Sequence, residues 1–318
     1  MIDLHRTSAV LGTMTFGDTV DADVATTMID AALDEGVDHL DTANVYAGGA
    51  SEEILGQAIR DRRDEVTIAT KVGMPHPDAG DHAPLSAAAI RDCVAGSLRR
   101  LNTDRVELLY LHQPDRRTSL AETLTAVGEL MDAGTVGALG VSNYAAWQIA
   151  ELNHTADALG IARPVVAQQL YNLLARRIEE EYAEFARVTD LVTMVYNPLG
   201  GGLLTGQHRF DADPGEGRFG TSKLAEMYKQ RYWNRAVFEA IEALTTIADK
   251  AEMTLVELAF RWLRSTPTAG PILLGGSRVE HLRANLEILA KGPLPDEVMS
   301  ACADVGADLR GPMPNYNR

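Results

Sequence analysis

Four residues among the first 112 carry side chains that together can deliver a proton to a carbonyl oxygen: Asp41, Tyr46, Lys71 and His112. Adding hydride to a carbonyl leaves an alkoxide that needs a proton, and free tyrosine, with a pKa of about 10, releases one reluctantly. A neighbouring ammonium lowers the pKa of a phenol because it favours the phenolate. The sequence therefore predicts Tyr46 as the acid and Lys71 as the cation that tunes it. Asp41 is expected to hold Lys71 charged, and a neutral His112 to orient the carbonyl oxygen.

The predicted strands can bring these residues together. Asp41, Lys71 and His112 each close a short apolar run, and Tyr46 follows Asp41 by five positions. In a parallel barrel the carboxyl ends of the strands share one face. Taken singly, each residue has an ordinary interpretation as a turn, a packing or a surface residue. Their order along one chain favours the chemical interpretation.

Apolar runs alternate with helical patterns from end to end, which predicts a single (β/α)8 TIM barrel domain over residues 1–318. Strands are predicted at 8–12, 37–41, 66–71, 106–111, 136–141, 164–168, 191–196 and 271–274. Helices are predicted at 21–35, 51–63, 86–101, 119–133, 144–160, 178–189, 234–250 and 278–290, with extra helices at 254–265 and 295–305. Residues 197–233 are predicted to be a long irregular loop that forms a lid on the catalytic face.

Composition excludes several classes of protein. A net charge of −16 opposes binding to nucleic acid or to an anionic membrane. Cys93 and Cys302 are the only cysteines, which favours a reducing, cytoplasmic location, and neither a signal peptide nor a membrane span is predicted. His76 and His82 lie in a proline-rich loop, which favours a polar loop over a metal site. Assembly into a homo-oligomer stays open.

Several motifs make the chain resemble the aldo-keto reductases. They are Asp41 to Tyr46 followed by Ser51-Glu52-Glu53-Ile54-Leu55-Gly56, Ala69-Thr70-Lys71, Ser97-Leu98-Arg99-Arg100-Leu101, Leu109-Tyr110-Leu111-His112-Gln113-Pro114-Asp115, Gly140-Val141-Ser142-Asn143-Tyr144, Tyr196-Asn197-Pro198-Leu199 and Gly275-Gly276-Ser277-Arg278. The resemblance implies reduction of aldehydes or ketones by hydride from NADPH, with Asp41, Tyr46, Lys71 and His112 as the catalytic residues. Barrels of this family also serve as nucleotide-sensing subunits of potassium channels, so a non-catalytic binding module is the alternative.

The phosphate signal comes late in the chain. The first βα turn lacks the Gly-x-Gly-x-x-Gly of a doubly wound nucleotide-binding domain. Instead, Gly275-Gly276-Ser277-Arg278 follows the last strand and opens a helix, where free N–H groups can face an anion. A capping box between Ser277 and Glu280 is the alternative and is compatible with phosphate binding.

The resemblance also implies a set of NADPH (NADP⁺) contacts. Ser277, Arg278 and Asn285 are expected at the adenosine end, and Arg278 is suited to pair with the 2′-phosphate. Ser142, Asn143 and Gln168 are expected to bind the nicotinamide carboxamide, and Tyr196 to stack on the ring. The remaining expected contacts are Gly12, Thr13, Met14, Asp41, Asn197, Leu199, Gly201 and Leu203.

The long loop resembles the aflatoxin-aldehyde and succinic-semialdehyde reductase branch, through Gly217-Arg218-Phe219 and Tyr228-Lys229-Gln230-Arg231-Tyr232-Trp233. That resemblance implies that Arg218, Arg231 and the terminal Arg318 bind a carboxylate-bearing carbonyl substrate beside Tyr46 and His112. The alternative is that these arginines pair with carboxylates of the loop itself.

Overall fold

The structure is a computed structural model that describes residues 4–215 and 217–309. Within them, eight parallel strands close into a barrel, because the last strand pairs with the first. The strands are β1 (Ala9–Gly12), β2 (His39–Asp41), β3 (Thr67–Val72), β4 (Val106–Leu111), β5 (Val136–Ser142), β6 (Val166–Leu170), β7 (Val192–Tyr196) and β8 (Ile272–Leu274). The predicted (β/α)8 barrel is confirmed.

Helices surround the barrel and follow the predicted order. They are α1 (Ala22–Asp34), α2 (Ala50–Ala58), α3 (Ala87–Leu101), α4 (Leu120–Asp132), α5 (Ala146–Leu159), α6 (Tyr182–Val188), α7 (Ala225–Tyr232), α8 (Arg235–Lys250), α9 (Leu255–Ser265), α10 (Val279–Ala290) and α11 (Asp296–Asp308). The predicted additions to the repeat correspond to α9 and α11. In the described part of the chain, no helix has the length and apolar character to cross a membrane.

The prediction of an irregular segment at 197–233 is wrong in part. This segment contains 3₁₀ turns at Gly200–Thr205 and Gly217–Phe219, followed by the helix α7. Only Tyr228 and Tyr232 of α7 are buried, so this helix has no continuous apolar stripe of the kind that reveals an amphipathic helix. Two boundaries also differ: α2 ends at Ala58, and α6 is preceded by a 3₁₀ turn at Arg177–Glu180.

The alternation of side chains along each strand decides what enters the barrel. Ala69 and Leu108 belong to the cluster inside the barrel, whereas Ile68 and Leu109 belong to the larger core between the sheet and the helices. Since side chains two positions apart share a face, Lys71 follows Ala69 into the barrel mouth. The register pairs Lys71 with Tyr110, another residue of the interior cluster.

Candidate active site

Lys71 is the centre of a polar cluster at the carboxyl ends of the strands. Its side chain is fully buried, and its ammonium donates to Asp41 Oδ1, to the Thr42 carbonyl at 2.8 Å and to the Tyr46 hydroxyl oxygen at 3.3 Å. A lysine ammonium has three donors, so each one has an acceptor. The second carboxylate oxygen, Asp41 Oδ2, accepts from Gln168 Nε2 at 2.8 Å. The structure thus brings Asp41, Tyr46 and Lys71 into direct contact.

The direction of the Lys71–Tyr46 bond determines where the phenol proton points. Because the ammonium donates to the Tyr46 oxygen, the hydrogen of the hydroxyl is directed elsewhere. The Tyr46 ring meets the ring of His112 edge-on, with centroids 5.9 Å apart and an interplanar angle of 83°. An acceptor held beside both rings would find the Tyr46 proton available.

Burial changes the expected pKa of Tyr46. Desolvation raises this pKa and outweighs the opposing effect of Lys71, so the pKa lies above its ordinary value. Lys71 lowers the pKa of Tyr46 as predicted, but the larger opposing effect of desolvation could not be predicted from the sequence. Burial lowers the pKa of Lys71, but the combined effect of Asp41 and Tyr46 is larger and raises this pKa above its usual value. Tyr46 is therefore protonated and Lys71 charged at neutral pH.

His112 is held as a neutral imidazole. Burial, with a smaller contribution from the charge of Lys71, lowers its pKa to about 3. Its backbone N–H donates to the Val72 carbonyl at 2.8 Å, and its carbonyl accepts from Asn143 Nδ2 at 2.9 Å. The ring Nδ1 is buried and has no hydrogen-bond partner among the described residues. A neutral ring of this kind can polarise a carbonyl without taking the proton of Tyr46.

The predicted nicotinamide residues form one connected group on β5 to β7. Ser142 Oγ donates to the Gln168 carbonyl at 3.0 Å, and Asn143 Nδ2 donates to Ser142 Oγ at 3.1 Å. The Tyr196 hydroxyl donates to Asn143 Oδ1 at 2.7 Å, and Asn143 adopts a left-handed φ of 61°. Ser142 does not cap α5, since the N-cap is Ala145. The group is a polar wall beside Asp41, to which Gln168 is bonded.

The first part of the long loop is fixed by Asn197. Its Oδ1 accepts from the Gly201 N–H at 2.6 Å, and its Nδ2 donates to the Tyr232 hydroxyl at 2.9 Å. Leu199 is half-buried, whereas Leu203 is 1% exposed and faces the core. Any contact of Leu203 with a ligand would therefore be made by its backbone.

Both loop arginines lie close to Tyr228, a residue of the quoted motif for which no role was predicted. The guanidinium carbons of Arg218 and Arg231 lie 5.6 and 5.8 Å from the centre of the Tyr228 ring, and Arg218 Nη1 donates to the Tyr228 hydroxyl at 3.3 Å. Tyr228 also contributes to raising the pKa of Tyr46. The spacing of Tyr228 and Arg231 on one helical face is the signal that could have revealed it.

The two described arginines occupy different surroundings. A Cβ added at Gly275 would lie 3.4 Å from Arg218 Nη2, which places Arg218 beside the predicted phosphate segment. The positive charge of Arg231 opposes the rise in pKa that burial gives Tyr196, so Arg231 lies near the end of β7. Within the described ranges neither forms an ion pair with a carboxylate, contrary to the alternative interpretation. Arg318 lies outside the described residues.

The start of α10 differs from the predicted capping box. The N-cap is Arg278, and no side chain among the residues that the structure describes caps the first turn, so the box between Ser277 and Glu280 is not formed. Ser277 and Arg278 are exposed, while Asn285, about two helical turns after Arg278, is buried. Open N–H groups and an exposed guanidinium at one helix start suit an anion.

The predicted contacts on β1 are close to Asp41. Gly12 pairs with Asp41 in the sheet, and the buried Thr13 hydroxyl donates to the Asp41 carbonyl at 3.1 Å. Met14 is half-buried at the edge of the main core. These residues form the rim of the barrel mouth next to the polar cluster around Lys71.

The histidine His76 of the proline-rich loop forms a hydrogen bond within the loop itself. His76 Nδ1 accepts from the Asp78 N–H at 3.2 Å, and burial lowers the pKa of His76. Among the described residues, no group of three or more His, Cys, Asp or Glu side chains is placed to hold a metal ion.

A closed parallel barrel whose mouth holds a half-buried tyrosine beside a buried lysine, aspartate and histidine defines a class of barrel oxidoreductase. The sequence model of the Aldo/keto reductase family matches residues 9–307, and the chain belongs to this family. It is 36% identical to aflatoxin B1 aldehyde reductase member 2 of Rattus norvegicus, over 98% of this chain and 88% of that protein. It is 35% identical to the human aldo-keto reductase family 7 member A3, over 98% of each chain. A probable voltage-gated potassium channel subunit beta of Arabidopsis thaliana is 33% identical, over 88% of this chain and 86% of that protein.

Proposed function

We propose that this protein is an enzyme that reduces aldehydes or ketones to alcohols with NADPH, and that Tyr46 is its general acid. The observation that carries the proposal is the hydrogen bond from Lys71 Nζ to the Tyr46 oxygen at 3.3 Å. It leaves the phenol proton free, stabilises the phenolate that remains after transfer, and is itself held by Asp41. His112, neutral beside Tyr46, orients the carbonyl oxygen.

The residues present suit a dinucleotide. Arg278 is an exposed cation at a helix start without a side-chain cap, Arg218 lies beside Gly275, and Asn285 makes no side-chain hydrogen bond within the described residues. NADPH, when bound, supplies the hydride. The chain itself would hold the phosphates at α10 and Arg218, and would face the nicotinamide with the wall formed by Ser142, Asn143 and Tyr196.

The direct test of the proposed activity is NADPH oxidation with a panel of aldehydes and ketones. We expect catalytic consumption of NADPH with at least one of them and formation of the matching alcohol. Binding of NADPH without turnover on any carbonyl would overturn the proposed function. That outcome would favour the second candidate, a nucleotide-binding regulator, which the similarity to a potassium channel subunit beta also suggests.

The first prediction from this proposal concerns the choice of cofactor. Arg278→Ala should weaken NADPH much more than NADH, because only NADPH carries a 2′-phosphate for the guanidinium to bind. Losing one charge-assisted pair costs about 1.5 to 3 kcal/mol. Fluorescence titration with both nucleotides measures the effect. Arg283→Ala is the matched control, since Arg283 is an exposed arginine of the same helix whose nearest carboxylate is Glu35 at 4.0 Å. Equal losses for NADPH and NADH would remove Arg278 from phosphate recognition.

We further propose that the substrate carries a carboxylate. In a protein with a net charge of −16, a small anion needs a local cation to bind. Arg231 supplies such a cation. It lies over the Tyr228 ring, and its charge lowers the pKa of Tyr196 at the mouth of the barrel. Arg218, beside Gly275, is better placed for the cofactor, and this revises the expectation that both arginines bind substrate.

This substrate preference predicts different effects for the two arginines. Arg231→Ala should raise KM for succinic semialdehyde with little change in kcat, and should leave butanal almost unaffected, because butanal has no carboxylate. Arg218→Ala should instead weaken NADPH and affect both aldehydes alike. Steady-state kinetics with the two aldehydes measures this. If Arg231→Ala lost no more kcat/KM with the acid than with butanal, Arg231 would have no role in selecting the substrate.

The cysteines support a proposal on location. Cys93 and Cys302 are both buried and unpaired with each other, and burial raises the pKa of each thiol to about 11. We propose a reducing compartment such as the cytoplasm, where such thiols persist.

A further inference from the structure

A second buried polar cluster lies on the opposite side of β3 from the catalytic residues. Glu52 is fully buried, and its carboxylate accepts from Thr70 Oγ1 at 2.5 Å and from Arg100 Nε at 2.7 Å. Arg100 Nη1 donates to Asp78 Oδ2 at 2.8 Å. An alanine at Gly96 would collide with that Asp78 oxygen, so the glycine leaves room for the bond. We name Glu52, Asp78 and Arg100 the Arg100 cluster.

The turn that carries Tyr46 packs against Arg100 of this cluster. This turn, Tyr46–Gly49, holds three consecutive left-handed residues, with φ of 49° at Ala47, 69° at Gly48 and 103° at Gly49. A Cβ on Gly49 would lie 2.9 Å from Arg100 Cδ and 3.1 Å from Nε. Arg100 thus leaves no room for a side chain at Gly49 and packs against the end of this turn.

Glu52 also ties this turn to the strand that carries the catalytic lysine. Thr70 and Lys71 are neighbours on β3 and point to opposite faces, so the bond from Thr70 to Glu52 fixes the strand from behind. Ser51, beside Glu52 on α2, lies 3.0 Å from the Thr42 hydroxyl, and the carbonyl of Thr42 accepts from Lys71. The first turn of α2 is therefore linked to both partners of the Lys71–Tyr46 hydrogen bond.

We propose that Arg100 is a positioning residue for Tyr46, which acts through Glu52 and Asp78. By fixing the turn Tyr46–Gly49, it keeps the Tyr46 hydroxyl within hydrogen-bond reach of Lys71 Nζ. This proposal rests on the proposed function, because it assigns Arg100 a role in proton delivery. It goes beyond the four catalytic residues, since Arg100 contacts neither the acid nor the ammonium.

The test compares Arg100→Met in two backgrounds. In the wild-type background Arg100→Met should lower kcat roughly 10- to 100-fold, because the Tyr46 hydroxyl would no longer be held in line with Lys71 Nζ and the carbonyl oxygen. Apparent KM for NADPH should stay unchanged. If Arg100 acts through the Tyr46 hydroxyl, the residual rate of Tyr46→Phe should change by less than ~2-fold on adding Arg100→Met. Arg99→Met, in the same helical turn but exposed, is the matched control and should leave kcat unchanged.

A second variant covers the case in which Arg100→Met does not fold, since it leaves two carboxylates without their cation. Arg100→Lys keeps the charge, but one ammonium on a shorter stem does not reproduce the bonds to both Glu52 and Asp78. It should lower kcat less than Arg100→Met, and again only where the Tyr46 hydroxyl is present. Equal losses in both backgrounds, for whichever variant folds, would show a structural role and overturn the proposal.

Hydrogen exchange supplies a measurement that does not need activity. Arg100→Lys and Arg100→Met should speed exchange in the peptide covering residues 43–49 relative to Arg99→Met. Exchange in the strands of the barrel should stay unchanged. Unchanged exchange in that peptide would overturn the positioning role. Faster exchange in a protein whose wild type reduces no carbonyl would instead overturn the proposed function and leave the control of the turn by Arg100 standing.

Discussion

Replacing Tyr46 with phenylalanine is expected to lower kcat for carbonyl reduction by about 10² to 10⁴-fold, the usual contribution of a general acid. The phenyl ring keeps the edge-on contact with His112, so only the proton donor is lost. NADPH affinity should change by less than ~2-fold, because the hydroxyl is needed for proton transfer rather than for uniform binding.

The matched control removes a buried tyrosine hydroxyl elsewhere. The Tyr182 hydroxyl lies 3.0 Å from Thr193 Oγ1, near the amino end of β7 and so at the opposite end of the barrel from the site. Tyr182→Phe makes the same chemical change and should leave kcat near that of wild type. If Tyr46→Phe kept wild-type turnover while its stability matched that of Tyr182→Phe, Tyr46 would have no part in the chemistry.

The second large effect is expected at Lys71. Lys71→Met removes the ammonium that stabilises the Tyr46 phenolate and should lower kcat by at least roughly 10²-fold. It also leaves the buried Asp41 carboxylate without its cation, and breaking a buried pair in this way costs about 3 to 5 kcal/mol of stability. Urea denaturation and steady-state kinetics measure the two effects separately.

The double variant Lys71→Met with Asp41→Asn separates folding from chemistry. A neutral amide at position 41 removes the unpaired charge, so most of the lost stability should return while kcat stays low. The stability deficit of the single variant should also be smaller near pH ~5 than near pH ~8. Burial raises the pKa of Asp41 and Lys71 opposes that rise, so without Lys71 the pKa rises further and the carboxyl is more fully protonated, with less cost to stability, at the lower pH. Recovery of activity in the double variant would contradict the role given to Lys71.

The meeting of Asp41, Lys71 and His112 at one end of the barrel could be predicted from sequence because it depends on two simple rules. Parallel strands end on one face of a barrel, and side chains two positions apart on a strand share a side. Ala69 and Lys71 obey the second rule, and Asp41 and His112 the first. Neither rule needs knowledge of contacts between distant segments.

What the sequence did not predict depends on burial and on contacts across the fold. The pKa of Tyr46 is raised because desolvation outweighs the effect of Lys71, and the extent of desolvation depends on which segments pack over the barrel mouth. Helix α7 has too few buried residues to show a helical period. The different surroundings of Arg218 and Arg231 follow from the path of the loop, which places one of them beside Gly275. The Arg100 cluster joins residues 22 to 48 positions apart, with no local pattern to reveal it.

The amount of alcohol formed per protein molecule shows whether the protein is a catalytic reductase that uses Tyr46 as its acid. Wild type and Tyr46→Phe would each be incubated with excess NADPH and succinic semialdehyde or 2-carboxybenzaldehyde, and the alcohol would be quantified over time. We expect many molecules of alcohol per molecule of wild-type protein, and a rate at least ~10²-fold lower for Tyr46→Phe with NADPH still bound. No more than one alcohol per wild-type molecule, or the same rate for both proteins, would show that Tyr46 is not the general acid of a reductase.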